Sequence, residues 1–181
     1  MKYSFLILIG LLSMDVATGE IVICYNYGCS TKAQITLSAT DIEQVRRMFA
    51  QATDASSERR IVSEAIGQLY ILAGKQTPIW RDKGENENDG SVDGQMDCID
   101  HANTTTAFLR FIQAQGWFKF HQVLEPIKRM RLIFLEHWTA RMVENETGEE
   151  YAVDTWYFDH GHPAAILRMK EWLKGVQPKS G

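Results

Sequence analysis

Residues 94–102, with the sequence GQMDCIDHA, mark the point where an acidic polar loop ends and a helical pattern begins. Asp97 suits the N-cap of this helix, and Cys98 falls in its first turn. Backbone N–H groups in a first turn have no intrahelical partner, and the helix dipole adds partial positive charge there. Because this environment stabilises a thiolate, the nucleophilic form of cysteine, we expect Cys98 to be reactive. The helix should run over residues 98–113 and end at Gly116.

The composition is that of an ordinary globular protein. The chain has 181 residues, of which 45% are hydrophobic and 23% are charged. This length predicts one domain with its own core, which we place at residues 20–181. The net charge is -4 and there is no basic block, so nucleic-acid binding is disfavoured.

The N-terminus has the pattern of a secretory signal peptide. Lys2 precedes an apolar run over residues 5–14, and small residues follow at Ala17 and Gly19. This pattern predicts cleavage after Gly19 and export to the periplasm or the exterior. The run is too short to span a bilayer, so we expect no stable membrane span after cleavage. The alternative is an uncleaved membrane anchor.

The three cysteines fit an oxidising compartment. Cys24 and Cys29 flank a predicted turn at residues 25–28 and can pair across it. Cys98 is then left without a partner. An unpaired thiol in an exported protein is either buried and inert or kept for its reactivity.

The N-terminal half predicts two strands followed by two helices. Residues 21–23 and 35–37 are rich in β-formers. Thr40 followed by Glu43 fits a capping box and predicts the start of a helix. A second helix is predicted over residues 56–74, because its apolar residues recur at helical spacing.

The C-terminal half predicts a sheet. Strands are expected at residues 118–124, 132–143 and 151–156, and Pro126 is expected to break the chain between the first two. A last helix is predicted to begin at His162-Pro163, since proline suits the first turn of a helix.

Two groups of polar residues are weighed as metal sites. Residues 85–93 come close to a calcium-binding loop, but the first position holds Glu85 in place of aspartate and the last holds Met96 in place of glutamate. His160, His162 and Asp159 offer ligand atoms without any further ligand cluster. A solvated loop and surface histidines are the simpler interpretations, so we expect no metal and no cofactor.

A cysteine nucleophile needs a general base and a group that orients the base. His101 and His121 have no carboxylate that the sequence can place beside them. His137 and Asp154 are symmetric about the turn at residues 145–146, so an antiparallel hairpin makes them cross-strand neighbours to within about one residue. Asp154 can then accept a hydrogen bond from the imidazole and fix its tautomer.

Two segments together resemble a known family. GQMDCIDHANTTTAFLRF at residues 94–111 and HWTARMVENETGEEYAVDTW at residues 137–156 are similar to the transglutaminase-like superfamily. Its members have a cysteine at a helix N-terminus, a histidine entering a strand and an aspartate near the end of the next strand. Cys98, His137 and Asp154 match these three positions. The resemblance implies an α+β fold of the papain-like kind, in which N-terminal helices precede a nucleophile helix packed on an antiparallel sheet.

The resemblance also implies a function. The chain is small and lacks the flanking β-domains of animal transglutaminases, so it is most similar to compact bacterial members that act as cysteine peptidases or amidases. The expected partner is a peptide or protein substrate with an amide bond, which is hydrolysed rather than transferred. The backbone N–H of Cys98 and the side chain of Gln95 are the expected donors to the oxyanion. The alternative is a non-catalytic domain of the same fold that binds envelope peptide or glycan.

Overall fold

The computed structural model describes residues 19–86, 92–131 and 135–178. In chain order the elements are β1 (Gly19–Tyr25), β2 (Thr31–Leu37), α1 (Ala39–Ala50), α2 (Ala55–Gly74), a short 3-10 helix (Pro78–Arg81), α3 (Cys98–Ala114), β3 (His121–Arg131), β4 (Leu135–Glu144), β5 (Glu150–Asp154), β6 (Ala165–Arg168) and α4 (Met169–Leu173).

The strands form two antiparallel sheets, which together with the helices confirm the α+β class. One sheet is the pair β1–β2, and the other has the order β3-β4-β5-β6. Helix α3 packs against β1 of the first sheet and against β3, β4 and β5 of the second. The helix that begins with Cys98 therefore joins the two sheets into one body.

The larger core lies around α3. Its fully buried members come from the first sheet, from α2 and α3, and from alternate positions of the second sheet: Ile23, Ile35, Leu37, Val62, Leu69, Phe108, Leu109, Ile112, Ala140 and Met142. Successive strand residues point to opposite faces, so His137 and Asp154 fall on the other face of the second sheet. There a smaller cluster forms from Ala152, Met169 and Trp172.

The predicted N-terminal elements are present, but α1 starts earlier than expected. Its N-cap is Ser38, whose side chain accepts a hydrogen bond from the backbone N–H of Asp41, and the Asp41 carboxylate accepts from the Ser38 backbone in return. The predicted capping box of Thr40 and Glu43 is wrong. The residue that satisfies the free N–H groups lies two positions before it.

The prediction that Pro126 breaks the chain is also wrong, because β3 continues through it. The ladder between β3 and β4 shifts register between Leu124 and Ile127. Proline has no N–H to donate, and a bulge is where a strand tolerates this loss. Strand β3 starts at His121 rather than at residue 118.

The last helix does not begin at Pro163. Residues 165–168 form β6, which pairs with β5, and only Met169–Leu173 is helical. Pairing satisfies backbone groups along the edge of β5, which an isolated helix would leave open. The apolar spacing of Ile166, Met169 and Trp172 fitted a helix, but Ile166 packs from a strand.

Some predictions fall outside the described residues. Residues 1–18 of the predicted signal peptide and residues 87–91 of the possible calcium loop belong to this group. Gly19, assigned by the predicted cleavage to the removed segment, is the first residue of β1 and pairs with Leu37. No helix among residues 19–86, 92–131 and 135–178 is long and apolar enough to cross a membrane.

Candidate thiol site at the start of helix α3

Cys98 is the first residue of α3 and carries a free, half-buried thiol. Asp97 is the N-cap as predicted. Its Oδ1 accepts hydrogen bonds from the backbone N–H groups of Ile99 at 3.0 Å and Asp100 at 2.9 Å. Asp100 accepts in return from the backbone N–H of Asp97 at 3.2 Å. The first turn is therefore fixed by two carboxylates that flank the cysteine.

Burial raises the pKa of Cys98 to about 11, and the Asp97 and Asp154 carboxylates add to this shift. The backbone N–H groups of Trp138 and of Cys98 itself act in the opposite direction, without reversing it. The helix position alone therefore does not set the pKa of this thiol. The helix start supplies N–H groups, but desolvation and two nearby negative charges outweigh them.

His137 and Asp154 form a direct pair. Nε2 of His137 lies 2.8 Å from Oδ2 of Asp154, and both side chains are buried. Asp154 also accepts a hydrogen bond from Nε1 of Trp172 at 2.8 Å and from the backbone N–H of Trp156 at 3.2 Å. A carboxylate with three donors is held in one orientation, and so is the imidazole that it binds.

The register that brings this pair together differs from the predicted one. Ala140 pairs with Val153, which places Asp154 opposite Thr139 and leaves His137 beyond the end of the β4–β5 ladder. The shift from the predicted register is two residues, an even number. Both side chains therefore stay on one face, where a diagonal contact replaces the predicted direct one.

The thiol lies near the start of β4, which carries His137. Strand β5 ends at Asp154, so it does not cover the first residues of β4. The backbone N–H of Trp138, the residue that follows His137, and the charge of Asp154 both act on the pKa of Cys98. Cys98 therefore lies close to the segment that carries His137.

Aromatic rings enclose His137. Its ring centroid lies 4.8 Å from that of Trp156, 5.6 Å from Tyr157 and 5.7 Å from Trp172. Arg129, which is opposite His137 in the β3–β4 ladder, donates to the hydroxyl of Tyr157 and to the main-chain carbonyl of Trp172. Trp172 and Arg129 were not predicted as site residues, because the sequence gives no sign that α4 and β3 meet at His137.

His101 has a carboxylate partner, contrary to expectation. Nε2 lies 2.9 Å from Oδ2 of Asp82, and Nδ1 lies 2.8 Å from the hydroxyl of Thr155. Tyr70 contacts the same hydroxyl at 3.2 Å. Nδ1 of His101 is therefore hydrogen-bonded, whereas Nε2 lies near Asp82 but makes no hydrogen bond to the described residues.

His121 also has an acidic partner that the sequence did not indicate. Its Nδ1 lies 2.8 Å from Oε1 of Glu58, which also accepts the backbone N–H groups of Lys119 and Phe120. Nε2 lies 3.2 Å from Nη1 of Arg59. Since arginine can only donate, Nε2 is the acceptor in this contact, and Nδ1 faces the Glu58 carboxylate.

The residues weighed as a metal site are dispersed. Asp159 forms an ion pair with Lys83, and His162 is exposed and stacks on Phe158. Burial lowers the pKa of His160. In the part of the chain that the structure describes, no group of three or more histidine, cysteine, aspartate or glutamate side chains is arranged to hold a metal ion.

The disulfide between Cys24 and Cys29 is present, as predicted, and leaves Cys98 free. Gln95 is buried, and the hydroxyl of Tyr27 lies 3.0 Å from its Oε1. The role of Gln95 as an oxyanion donor stays a prediction.

The chain matches no protein-family model, no curated protein and no solved structure.

Proposed function

We propose that this protein is a thiol hydrolase that cleaves amide bonds through Cys98, His137 and Asp154. The observation that carries the proposal is the 2.8 Å contact between His137 Nε2 and Asp154 Oδ2, and a free cysteine at a helix start supports it. Nucleophile, base and orienting acid are the parts that such a reaction needs. Within the α+β class, we propose that the helix and sheet have the papain-like arrangement that the resemblance implies.

The pKa of about 11 for the Cys98 thiol implies that proton transfer accompanies the attack of the sulfur. The thiol is protonated at rest, so His137 must take its proton as the sulfur attacks the carbonyl carbon. Because Nε2 is bound to Asp154, Nδ1 is the nitrogen that serves as base. Asp154 then stabilises the imidazolium, which is paired with a buried carboxylate.

The second half of the cycle returns the proton. The imidazolium of His137 gives its proton to the departing amine, and the acyl group stays on Cys98 as a thioester. His137 then deprotonates a water molecule that attacks this thioester, which releases the acid and regenerates the thiol. The backbone N–H of Cys98 and the amide of Gln95 are the proposed donors to the oxyanion.

The substrate is proposed to be a peptide or protein at the cell envelope or outside the cell. The Cys24–Cys29 disulfide supports export, because such bonds persist in oxidising compartments. A non-catalytic binding domain is the competing proposal, and the raised pKa of Cys98 is the observation that favours it.

The test is acylation by p-nitrophenyl acetate, a small activated ester. The expected result is a burst of p-nitrophenolate with one acetyl group found on Cys98 by peptide mapping. His137→Ala should slow acylation by roughly 100-fold or more, the usual contribution of a general base. His162→Ala is the matched control, because His162 is exposed and should leave the rate unchanged.

Amide cleavage is tested on the same variants with a mixed peptide library read by mass spectrometry. New peptide termini that need Cys98, His137 and Asp154 support the hydrolase. Acylation at the rate of a free small thiol, unchanged in His137→Ala and Asp154→Asn, would reject it in favour of the binding domain.

A further inference from the structure

Residues 26–29, which overlap the predicted turn, all have positive φ angles. Their φ angles are 67° for Asn26, 60° for Tyr27, 62° for Gly28 and 61° for Cys29. The glycine adopts this region freely, whereas three other residues with positive φ in the same turn are unusual. Such a conformation persists only where its surroundings enforce it. Here the enforcing elements are the Cys24–Cys29 disulfide and the residues that the turn contacts.

The turn binds both carboxylates that flank Cys98. The backbone N–H of Gly28 donates to Oδ2 of Asp97 at 2.8 Å, and that of Cys29 donates to Oδ1 of Asp100 at 2.6 Å. The backbone N–H of Tyr27 also acts on Asp100, where it lowers a pKa that burial raises to about 6. The N–H groups of a left-handed turn thus converge on the first turn of α3.

The turn also fixes the four residues that lead into Cys98. The backbone N–H of Asn26 donates to the carbonyl of Gln95 at 2.8 Å, and the backbone N–H of Gly94 donates to Oδ1 of Asn26 at 2.8 Å. The hydroxyl of Tyr27 contacts Oε1 of Gln95. The nucleophile segment is therefore held on both sides of Cys98 by the same short loop.

We propose that the disulfide-closed turn at residues 24–29 is the positioning element of Cys98, so that the thiol chemistry of this protein requires the Cys24–Cys29 disulfide. This inference rests on the proposed function. It assigns Tyr27 and Asn26 as positioning residues, since they touch the nucleophile segment rather than the reacting atoms.

The effect of opening the disulfide should be local. Strand β1 is tied to α3 by Thr104, whose hydroxyl accepts from the Cys24 backbone N–H at 2.9 Å and donates to its carbonyl at 3.0 Å. These bonds do not involve sulfur. Opening the disulfide therefore leaves β1 bound to α3. Residues 26–29 are then free to return to ordinary negative φ angles. This change turns their N–H groups away from Asp97 and Asp100.

The reducing step is a two-electron exchange with a dithiol. The reagent gives two electrons and two protons to the sulfur–sulfur bond, which becomes the two thiols of Cys24 and Cys29. The dithiol itself is oxidised to a cyclic disulfide. Cys98 is already a thiol and does not change. A dithiol normally preserves the activity of a thiol enzyme, because it keeps the catalytic thiol reduced. Here we expect the dithiol to lower the activity.

The experiment measures kcat and KM of the folded protein with p-nitrophenyl acetate, before and after treatment with dithiothreitol. Reduction of Cys24 and Cys29 is verified by alkylation and mass spectrometry. We expect kcat to fall by roughly tenfold to 100-fold, since displacement of a reacting group by about 1 Å has an effect of this size. KM and far-UV circular dichroism should stay constant, and reoxidation should restore kcat.

Two variants complete the design. Cys24→Ser/Cys29→Ser should show the low kcat without dithiothreitol and no further response to it. Tyr27→Phe keeps the disulfide and should lower kcat by a smaller factor with KM unchanged. It stays informative if the double variant does not fold.

The outcomes separate the two proposals. An oxidised wild-type protein without Cys98-dependent acylation rejects the proposed function. An active wild-type protein whose kcat is the same after verified reduction rejects the positioning role alone. A fall in kcat accompanied by loss of circular dichroism also rejects it, because the disulfide would then support the whole fold.

Discussion

At the scale of single residues, the site depends on the hydrogen-bond partners of the histidine ring nitrogens. His101 is hydrogen-bonded to Thr155 through Nδ1, and its Nε2 lies 2.9 Å from Asp82 without a hydrogen bond to the described residues. His137 is bound to Asp154 through Nε2. Proximity in sequence favours His101 as the partner of Cys98, whereas hydrogen bonding favours His137.

A pH prediction follows for Cys98. Its pKa is raised from 9.0 to about 11, so the folded protein holds the thiol proton more tightly than the unfolded chain does. The stabilisation is complete below about pH 9 and is lost as the pH rises through about 11. The free energy of unfolding, measured in urea, should therefore fall more steeply with pH in the wild type than in Cys98→Ser.

Alkylation gives a second measurement of the same pKa. Iodoacetamide reacts with thiolates, so its rate with Cys98 should keep rising up to about pH 11. A rate that levels off near neutral pH would show a preformed thiolate and contradict the prediction. In the unfolding measurement, the contributions of other groups that titrate in this pH range cancel when the wild type is compared with Cys98→Ser.

At the scale of elements, buried polar contacts decide how the pieces join. Glu58 in α2 is fully buried and accepts hydrogen bonds from Lys119, Phe120 and His121 at the start of β3. One side chain thus satisfies three donors and fixes where the strand begins. In the same way, Asp97 and Asp100 accept hydrogen bonds from backbone N–H groups of residues 26–29 and join α3 to this turn.

Glu58→Gln tests this junction. A glutamine keeps the size of the side chain but brings an NH₂ group toward neighbours that all donate, so at least one buried donor loses its acceptor. We expect a loss of about 1–3 kcal/mol in the free energy of unfolding. The control is Glu43→Gln, which removes a solvent-exposed ion pair with Arg46 and should cause no measurable change. Equal effects for the two variants in urea unfolding would contradict the prediction.

At the scale of the whole molecule, α3 makes two sheets into one unit. Residues of β1 and β2, of α2, and of β4 and β5 belong to a single cluster of buried side chains. Phe108 lies inside it and meets the ring of Tyr70 edge to face, with centroids 5.2 Å apart. The thiol at one end of α3 is therefore positioned by the packing of the entire helix.

Phe108→Ala tests whether the two sheets unfold together. We expect a loss of about 3–5 kcal/mol, typical of a large cavity in a core. Tryptophan fluorescence and far-UV circular dichroism should report one common transition, because both sheets share the core. Val22→Ala is the control, since Val22 is 54% exposed and should change stability little. Two separate transitions would mean that the small sheet is an independent unit.

Local patterns in the sequence predicted much of this structure. Asp97 as N-cap, the α3 helix from Cys98, the first two strands and the Cys24–Cys29 disulfide all depend on neighbours within a few residues. The identity of the His137–Asp154 pair also followed, because an antiparallel hairpin conserves the side on which alternate residues lie.

Three features were decided by tertiary structure alone. Residues 165–168 became a strand because the edge of β5 offered backbone partners that a sequence window cannot see. Burial gave Cys98 a high pKa where its helix position alone favoured a low one. The partners Asp82, Glu58 and Trp172 are distant in sequence from the side chains that they bind.

The sequence by itself determined the start of α3, the free cysteine in its first turn and the face shared by His137 and Asp154. These depend on capping, on the pairing of two nearby cysteines and on strand alternation, which act over short distances. Only the tertiary structure decided the raised pKa of Cys98, the hydrogen-bond partners of His137 and His101, and the contacts of residues 26–29 with Asp97 and Asp100. Desolvation and contacts between distant segments determine these properties, and both exist only after the chain has packed.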